Sequence, residues 1–176
     1  VLNPIDATSL ATEYQGIDPA DVSTTVRDDD QVGLVVTPTE GLITNEAGGL
    51  LPTFEVSLQS QPSAPVTVPV TSQDATEGQV SSDGMTFADS VELMFDSNTL
   101  DDPQTITLQG VDDVTTDGNK DYTVNVGTTI SDDMAFNGLG PVVVMATNED
   151  DDVAGVTVDP QSGLITDEDA LEATFT

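Results

Sequence analysis

The residues of this chain that could do chemistry are carboxylates, and they gather in runs. Arg27-Asp28-Asp29-Asp30 and Asn148-Glu149-Asp150-Asp151-Asp152 each close a valine-rich segment and precede another. Between them stand Glu46 in Thr44-Asn45-Glu46-Ala47-Gly48, Glu77 in Ala75-Thr76-Glu77-Gly78, and Asp112-Asp113 with Asp117 ahead of Tyr122. Two carboxylates about 5 Å apart repel by roughly 3 kcal/mol at an effective dielectric of about 20, so a cluster of them needs cations. Oxygen ligands with no nitrogen or sulfur alternative select calcium or magnesium. Many carboxylates on flexible loops favour calcium, which accepts roughly 6 to 8 oxygens.

Composition closes off most other chemistries. The 33 acidic residues face two cations, Arg27 and Lys120, for a formal charge of -31, which repels nucleic acid and anionic membrane surfaces. With no His and no Cys there is no imidazole base, thiol nucleophile, soft-metal site or disulfide. Paired carboxylates can hydrolyse glycosides, but Trp is absent and Tyr is limited to Tyr14 and Tyr122, so no aromatic sugar platform accompanies them. The chain is therefore read as a non-enzyme. The alternating acids, Gly and distant Glu of an EF-hand are not met around Asp113 to Asp121, and the Gly-rich nonapeptide of calcium β-rolls is missing. Asp101, Asp102, Asp132 and Asp133 are read as solvated turn residues. The bland alternative for the whole set is an acidic surface that serves solubility or salt tolerance.

The elements that must position these acids follow from a repeat. Laying Tyr14–Glu46 over Phe136–Glu168, a shift of about 122 residues, matches about 15 of 33 positions without a gap. The matches include the Asp triplets, Gly33 with Gly155, Pro38 with Pro160, Gly41-Leu42-Ile43-Thr44 with Gly163-Leu164-Ile165-Thr166, and Glu46 with Glu168. After a one-residue slip the register reaches Thr53-Phe54 beside Thr174-Phe175. The repeat divides the chain into the C-terminal part of one module (1–30), a complete module (31–152) and the N-terminal part of a third (153–176). At that length each module owns its core. Asp28, Asp29 and Asp30 then belong to the preceding module, and Glu168 to the following one, each with an incomplete set of partners in this chain.

Within the complete module, short alternating or valine-rich runs are separated by turn residues, the pattern of an antiparallel sandwich. Strands are predicted near Val32–Thr37, Thr53–Leu58, Val66–Thr71, Met85–Phe87, Val91–Phe95, Gln104–Gln109, Asp121–Val126 and Pro141–Thr147. Alternation is plainest in Val66-Thr67-Val68-Pro69-Val70 and Tyr122-Thr123-Val124-Asn125-Val126. Pro69 has no amide donor, so its strand lies at an edge or offers a non-bonded position there. Gly48-Gly49, Asp83-Gly84, Asp117-Gly118 and Asn137-Gly138 are turns calling for positive φ. Asp89 to Pro103 reads as an inserted hairpin or loop, with Val91–Phe95 as a protected strand in preference to an exposed contact patch.

In their order and spacing these residues resemble a Calx-beta domain. The resemblance lies in the glutamate soon after the first strand, the acid before Met85-Thr86-Phe87, the Val111-Asp112-Asp113 step with an acid four residues on, an aromatic leading the next strand, and the closing Asp triplet. It covers about Gln31 to Asp152. It implies an all-β, antiparallel immunoglobulin-like sandwich in tandem repeats that binds calcium at its C-terminal end through Glu46, Glu77, Asp112, Asp113, Asp117, Asp150, Asp151 and Asp152. The chain departs from the family where Lys120 stands at a usually acidic position and where the 89–103 insertion lengthens the module. A Cys-free, acidic, Thr-, Val-, Asp- and Gly-rich chain is also common among large bacterial surface proteins. No apolar run approaches the roughly 18 to 20 residues of a membrane span. Val1 begins in mid-pattern, so any secretion signal or anchor is expected outside this stretch.

The leading expectation is a calcium-stabilised extender repeat of a secreted cell-surface or matrix adhesin, with neighbouring repeats of the same chain as its partners. The alternatives are a ligand-binding adhesin module for glycan, ice or protein acting through the 89–103 insertion, and a subunit of an extracellular fibre or surface layer that packs against like chains. Neither nucleic acid nor direct membrane insertion is expected.

Overall fold

The computed structural model describes residues 13, 20–27, 29–96, 102–169 and 172–176. Val1, Tyr14, Asp28, Asp101 and residues 97–100 of the 89–103 insertion, used above, lie outside the described residues. The chain divides into two compact units, Val1–Gln31 and Val32–Thr176. In the first, every described residue is exposed.

The second unit is built from strands. They are β1 (Leu34–Thr37), β2 (Leu42–Asn45), β3 (Thr53–Leu58), β4 (Val66–Ser72), β5 (Gly78–Ser81), β6 (Ser90–Phe95), β7 (Gln104–Gly110), β8 (Lys120–Val126), β9 (Ile130–Ser131) and β10 (Val142–Glu149). One sheet has the order β1-β3-β7-β5, the other β2-β10-β8-β4-β6, with β9 also pairing β4. Together they make an all-β sandwich. The period-2 runs bury one face each: Val66, Val68 and Val70 of β4, and Tyr122, Val124 and Val126 of β8, meet Phe54, Val56, Ile106 and Leu108 of the facing sheet. Each fully buried Val, Leu, Ile or Phe contributes about 1.5–3 kcal/mol relative to exposure. Among the described residues no helix is long and apolar enough to cross a membrane.

Among the described residues every strand pair is antiparallel but one: β2 runs parallel to β10, with Asn45 opposite Glu149. This departs from the antiparallel expectation, and it has a direct effect. Parallel neighbours finish at the same end of a sheet, so the residues after β2 and after β10 emerge side by side.

Three strands, β2, β5 and the two-residue β9, were not anticipated, and one that was is missing. Met85–Phe87 forms no strand, because Asp83 Oδ1 accepts from the Met85 and Thr86 amides at 2.8 and 2.7 Å and holds that backbone in a turn. Val91–Phe95 is indeed a strand, at the outer edge of the larger sheet beyond β4. That leaves Pro69 inside the sheet rather than at an edge. Gly127 N, just past β8, donates to the Pro69 carbonyl at 2.7 Å, and the return bond of that pair, from residue 69 to Gly127, is the one that a proline cannot make. The four predicted turn pairs contain glycines at φ values from 69 to 94°. Asp133 is more than a solvated turn acid, for its carboxylate accepts from both Ser63 N and Ser63 Oγ at 2.8 Å.

Near the C-terminus, Asp159 and Thr176 exchange backbone bonds, 2.9 Å from Asp159 N to Thr176 O and 3.0 Å in return. In the repeat register, with its one-residue slip, these positions correspond to Thr37 and Glu55, which are opposed between β1 and β3.

Candidate metal centre

Several strand ends meet at one edge of the sandwich. β2 and β10 finish there together. Lys120, which opens β8, is paired with Asn148 of β10, and Gly78, which opens β5, is paired with Gly110, which closes β7. The loops at this edge carry Glu46, Glu77, Asp112, Asp113, Asp117 and Asp150–Asp152.

Two groups of carboxylates converge, and Glu46 belongs to both. In one, Glu46, Asp112 and Asp151 place ligand oxygens within 4.8 Å of one another; in the other, Glu46, Asp150 and Asp152 do the same. Glu46 is 5% exposed. Its amide donates to the Glu149 carbonyl at 3.0 Å, which locks it to the end of β10. Its carboxylate accepts from the Asp151 amide, yet Oε2 is buried without a hydrogen-bond partner, as are Asp152 Oδ2 and Asn45 Oδ1. Buried acceptors without donors are costly unless something satisfies them. Here the neighbours are mostly further acceptors, so a cation would satisfy them.

Electrostatics agree. Burial, then the charges of Asp113, Asp150 and Asp152, push the Glu46 carboxyl above its usual range. Burial also raises Asp152, helped by Asp150, Asp151, Asp112 and Asp113. Asp150 goes the other way, because the Asp152 amide donates to Oδ1 at 2.7 Å and the Gly118 amide to Oδ2 at 2.6 Å. The positive φ of Gly118 turns that amide back toward β10. One acid is thus pre-ionised by backbone donors while two are held uncomfortably as anions, a state that a divalent cation relieves.

Of the eight acids in the predicted ligand set, Glu46, Asp112, Asp150, Asp151 and Asp152 come together in these two groups. The other three lie beside them. Asp113 Oδ1 accepts from the Thr115 amide of its own loop, though its charge reaches Glu46 and Asp152. Asp117 makes an ion pair with Lys120 at 3.1 Å. Glu77 accepts from Asn148 Nδ2 at 3.4 Å. Among the described residues, Asp29, Asp30 and Glu168 belong to no such group.

Two neutral residues escaped the sequence reading: Asn45, with its buried unpartnered oxygen, and Asn148, 1% exposed among the loops. For Asn148 a signal existed. It continues the inward positions of Val144 and Ala146, so an amide stands where the alternation demands an apolar residue.

The donor set is all oxygen and mostly charged, which fits a hard divalent ion. Glu46, Asp112, Asp150, Asp151 and Asp152 would hold it.

No protein-family model and no curated protein matches the chain. Solved structures do. The apo-form Calx CBD1 domain aligns with 69% of this chain and 98% of its own length, at 16% identity and a TM-score of 0.49. The calcium binding domain CBD12 of CALX1.1 aligns over 78% of this chain and 53% of its own, at 15% identity and a TM-score of 0.49. Domains 4 and 5 of the S-layer protein SbsC align over 72% and 57%, at 20% identity and a TM-score of 0.39. The unit from β1 to β10 is, by its own strand order, an all-β, mostly antiparallel sandwich.

Proposed function

We propose that this chain is a calcium-stabilised structural repeat of a secreted cell-surface or matrix adhesin, one that extends and stiffens the protein rather than catalysing a reaction. The observation that carries it is Glu46, buried, shared by two groups of aspartates, and left with an unpartnered oxygen. Two calcium ions sharing Glu46 would satisfy that oxygen and Asp152 Oδ2 and cancel much of the repulsion between the loops. Calcium is favoured over magnesium because the acids are many and come from three separate segments, whereas magnesium demands near-ideal octahedral geometry and keeps its waters.

Placement at the end of β10, directly before the next module begins, gives the ions a mechanical role. Bound there, they order the residues that lead into the following repeat. The tandem reading draws support from the 122-residue register and from the Asp159–Thr176 pair, which repeats the β1–β3 pairing. Extracellular modules bind calcium at about 10⁻⁴ to 10⁻³ M, matching the supply outside cells. Thermal melting in calcium and in chelator tests the proposal. A melting temperature that rises with calcium and falls back with chelator is expected; one that ignores both would end it.

A second reading, lateral packing in a fibre or surface layer, is favoured by one feature. Ile43, Val143, Met145, Met94 and Ile130 are all exposed and share the outer face of the larger sheet. Sedimentation in calcium separates the two, since an extender stays monomeric and a layer subunit assembles with concentration.

A further inference from the structure

One buried amide touches every segment that carries the carboxylates. Asn148 Oδ1 accepts from Thr44 Oγ1 at 3.1 Å, and Nδ2 donates to the Val111 carbonyl at 3.1 Å and to Glu77 Oε2 at 3.4 Å. Thr44 stands two residues before Glu46, Val111 one before Asp112, and Asn148 itself two before Asp150. The same side chain therefore ties β2, the end of β7, the start of β5 and β10 together at the points where each delivers an acid.

The chemistry at this position calls for an amide. The Val111 carbonyl and the Glu77 carboxylate accept only, while the Thr44 hydroxyl directs its proton to an acceptor. Asparagine offers both donors and the acceptor from one short planar group. Aspartate here would set a charge against two acceptors, and leucine would remove all three bonds. Neighbouring residues are shaped around the amide. A Cβ on Gly110 would overlap Asn148 Oδ1 and stand 2.6 Å from the Asn45 carbonyl oxygen. Behind Thr44, the Tyr122 hydroxyl lies 3.4 Å from Oγ1 and completes the chain into the core.

We propose that Asn148 is the positioning residue of the cation site: its amide holds the Glu46, Asp112 and Asp150–Asp152 segments at the spacing the ion needs, and so sets calcium affinity. This rests on the reading of the acidic cluster as a calcium site. The four segments come from both sheets, and like-charged loops spring apart unless something neutral links them. A residue that merely stabilised the sandwich would do so equally with and without calcium, whereas a positioning residue changes the binding constant itself.

The test uses the full 176-residue chain and calcium chloride, with affinity from isothermal titration and melting temperature in chelator. Asn148→Ala is expected to weaken calcium binding about 10-fold or more, the usual cost of losing a group that orients metal ligands. The control is Thr129→Val at the opposite end of the sandwich. Thr129 is 1% exposed and bonds the Phe136 carbonyl and the Leu139 amide. This variant is expected to melt lower in chelator with unchanged calcium affinity. Should Asn148→Ala fail to fold, Thr44→Val removes the hydroxyl that orients the amide while keeping its shape, and a weakening of about 3-fold or more is expected. If either site variant folds, melts lower and still binds calcium as the unaltered chain does, the inference is overturned while the calcium reading stands. If the unaltered chain binds no calcium, both fall.

Discussion

Replacing Glu46 by glutamine should move stability in opposite directions with and without calcium. Glu46 is the acid shared by both groups, and it is 5% exposed with one oxygen unpartnered. In chelator its charge is a liability, opposed by burial and by Asp113, Asp150 and Asp152. Glutamine keeps an acceptor for the Asp151 amide and removes that charge, so the melting temperature in chelator should rise. In calcium the balance reverses. At a free concentration of about 100 times its dissociation constant, one ion stabilises the folded chain by about 2.7 kcal/mol. For the module of about 120 residues, roughly 4 °C accompanies each kcal/mol, so one ion should raise the midpoint by about 11 °C. Loss of the shared ligand should shrink that shift to a few degrees. Differential scanning calorimetry of both chains, each in calcium and in chelator, gives the four midpoints. A variant that melts lower in chelator and keeps the full calcium shift would refute the reasoning, because Glu46 would then be an ordinary buried acid remote from any ion.

Other predictions follow the same geometry. The folded-state pKa values of Glu46 and Asp152 are raised, so the folded protein binds protons more readily than the unfolded chain and acidification stabilises it. In chelator the midpoint should therefore rise as pH falls from neutrality toward about 4.5. Below about 3.8 it should fall, as the depressed carboxyls of Asp150, Asp133 and Asp83 are protonated and lose their amide donors; a pH series of melts reads both limbs. Lys120→Gln removes a partly exposed ion pair with Asp117, so the midpoint in chelator should move little, and it also removes a positive charge beside the acids, so calcium titration should show tighter binding. Gly110→Ala drives a methyl group against Asn148 and the Asn45 carbonyl, and should cost about 1–3 kcal/mol in urea unfolding.

Much of the sandwich was legible because its long strands state their period. Val66–Ser72 alternates buried and half-buried residues over seven positions, and Gln104–Gly110 and Lys120–Val126 do so over their last five. Short strands gave little warning. Gly78–Ser81 has a single apolar residue, Val80, and Leu42–Asn45 becomes a strand through its pairing with β10, roughly a hundred residues away. Met85-Thr86-Phe87 looked apolar enough to pair, but a nearby aspartate bonded its backbone first. The site divides in the same way. Acidic residues after strands announce themselves by charge, whereas their grouping depends on the parallel register of β2 on β10, which no local pattern encodes. Asp117 was indistinguishable from the converging acids until Lys120 was seen to pair with it. Asn45 and Asn148 carry no charge, and only the inward phase of Asn148 in β10 marked it.

The most direct measurement is anomalous diffraction from crystals of the chain grown with excess calcium. Peaks are predicted between Glu46, Asp112 and Asp151 and between Glu46, Asp150 and Asp152. A map with no anomalous peak within reach of Glu46, in crystals whose solvent holds millimolar calcium, would contradict the account.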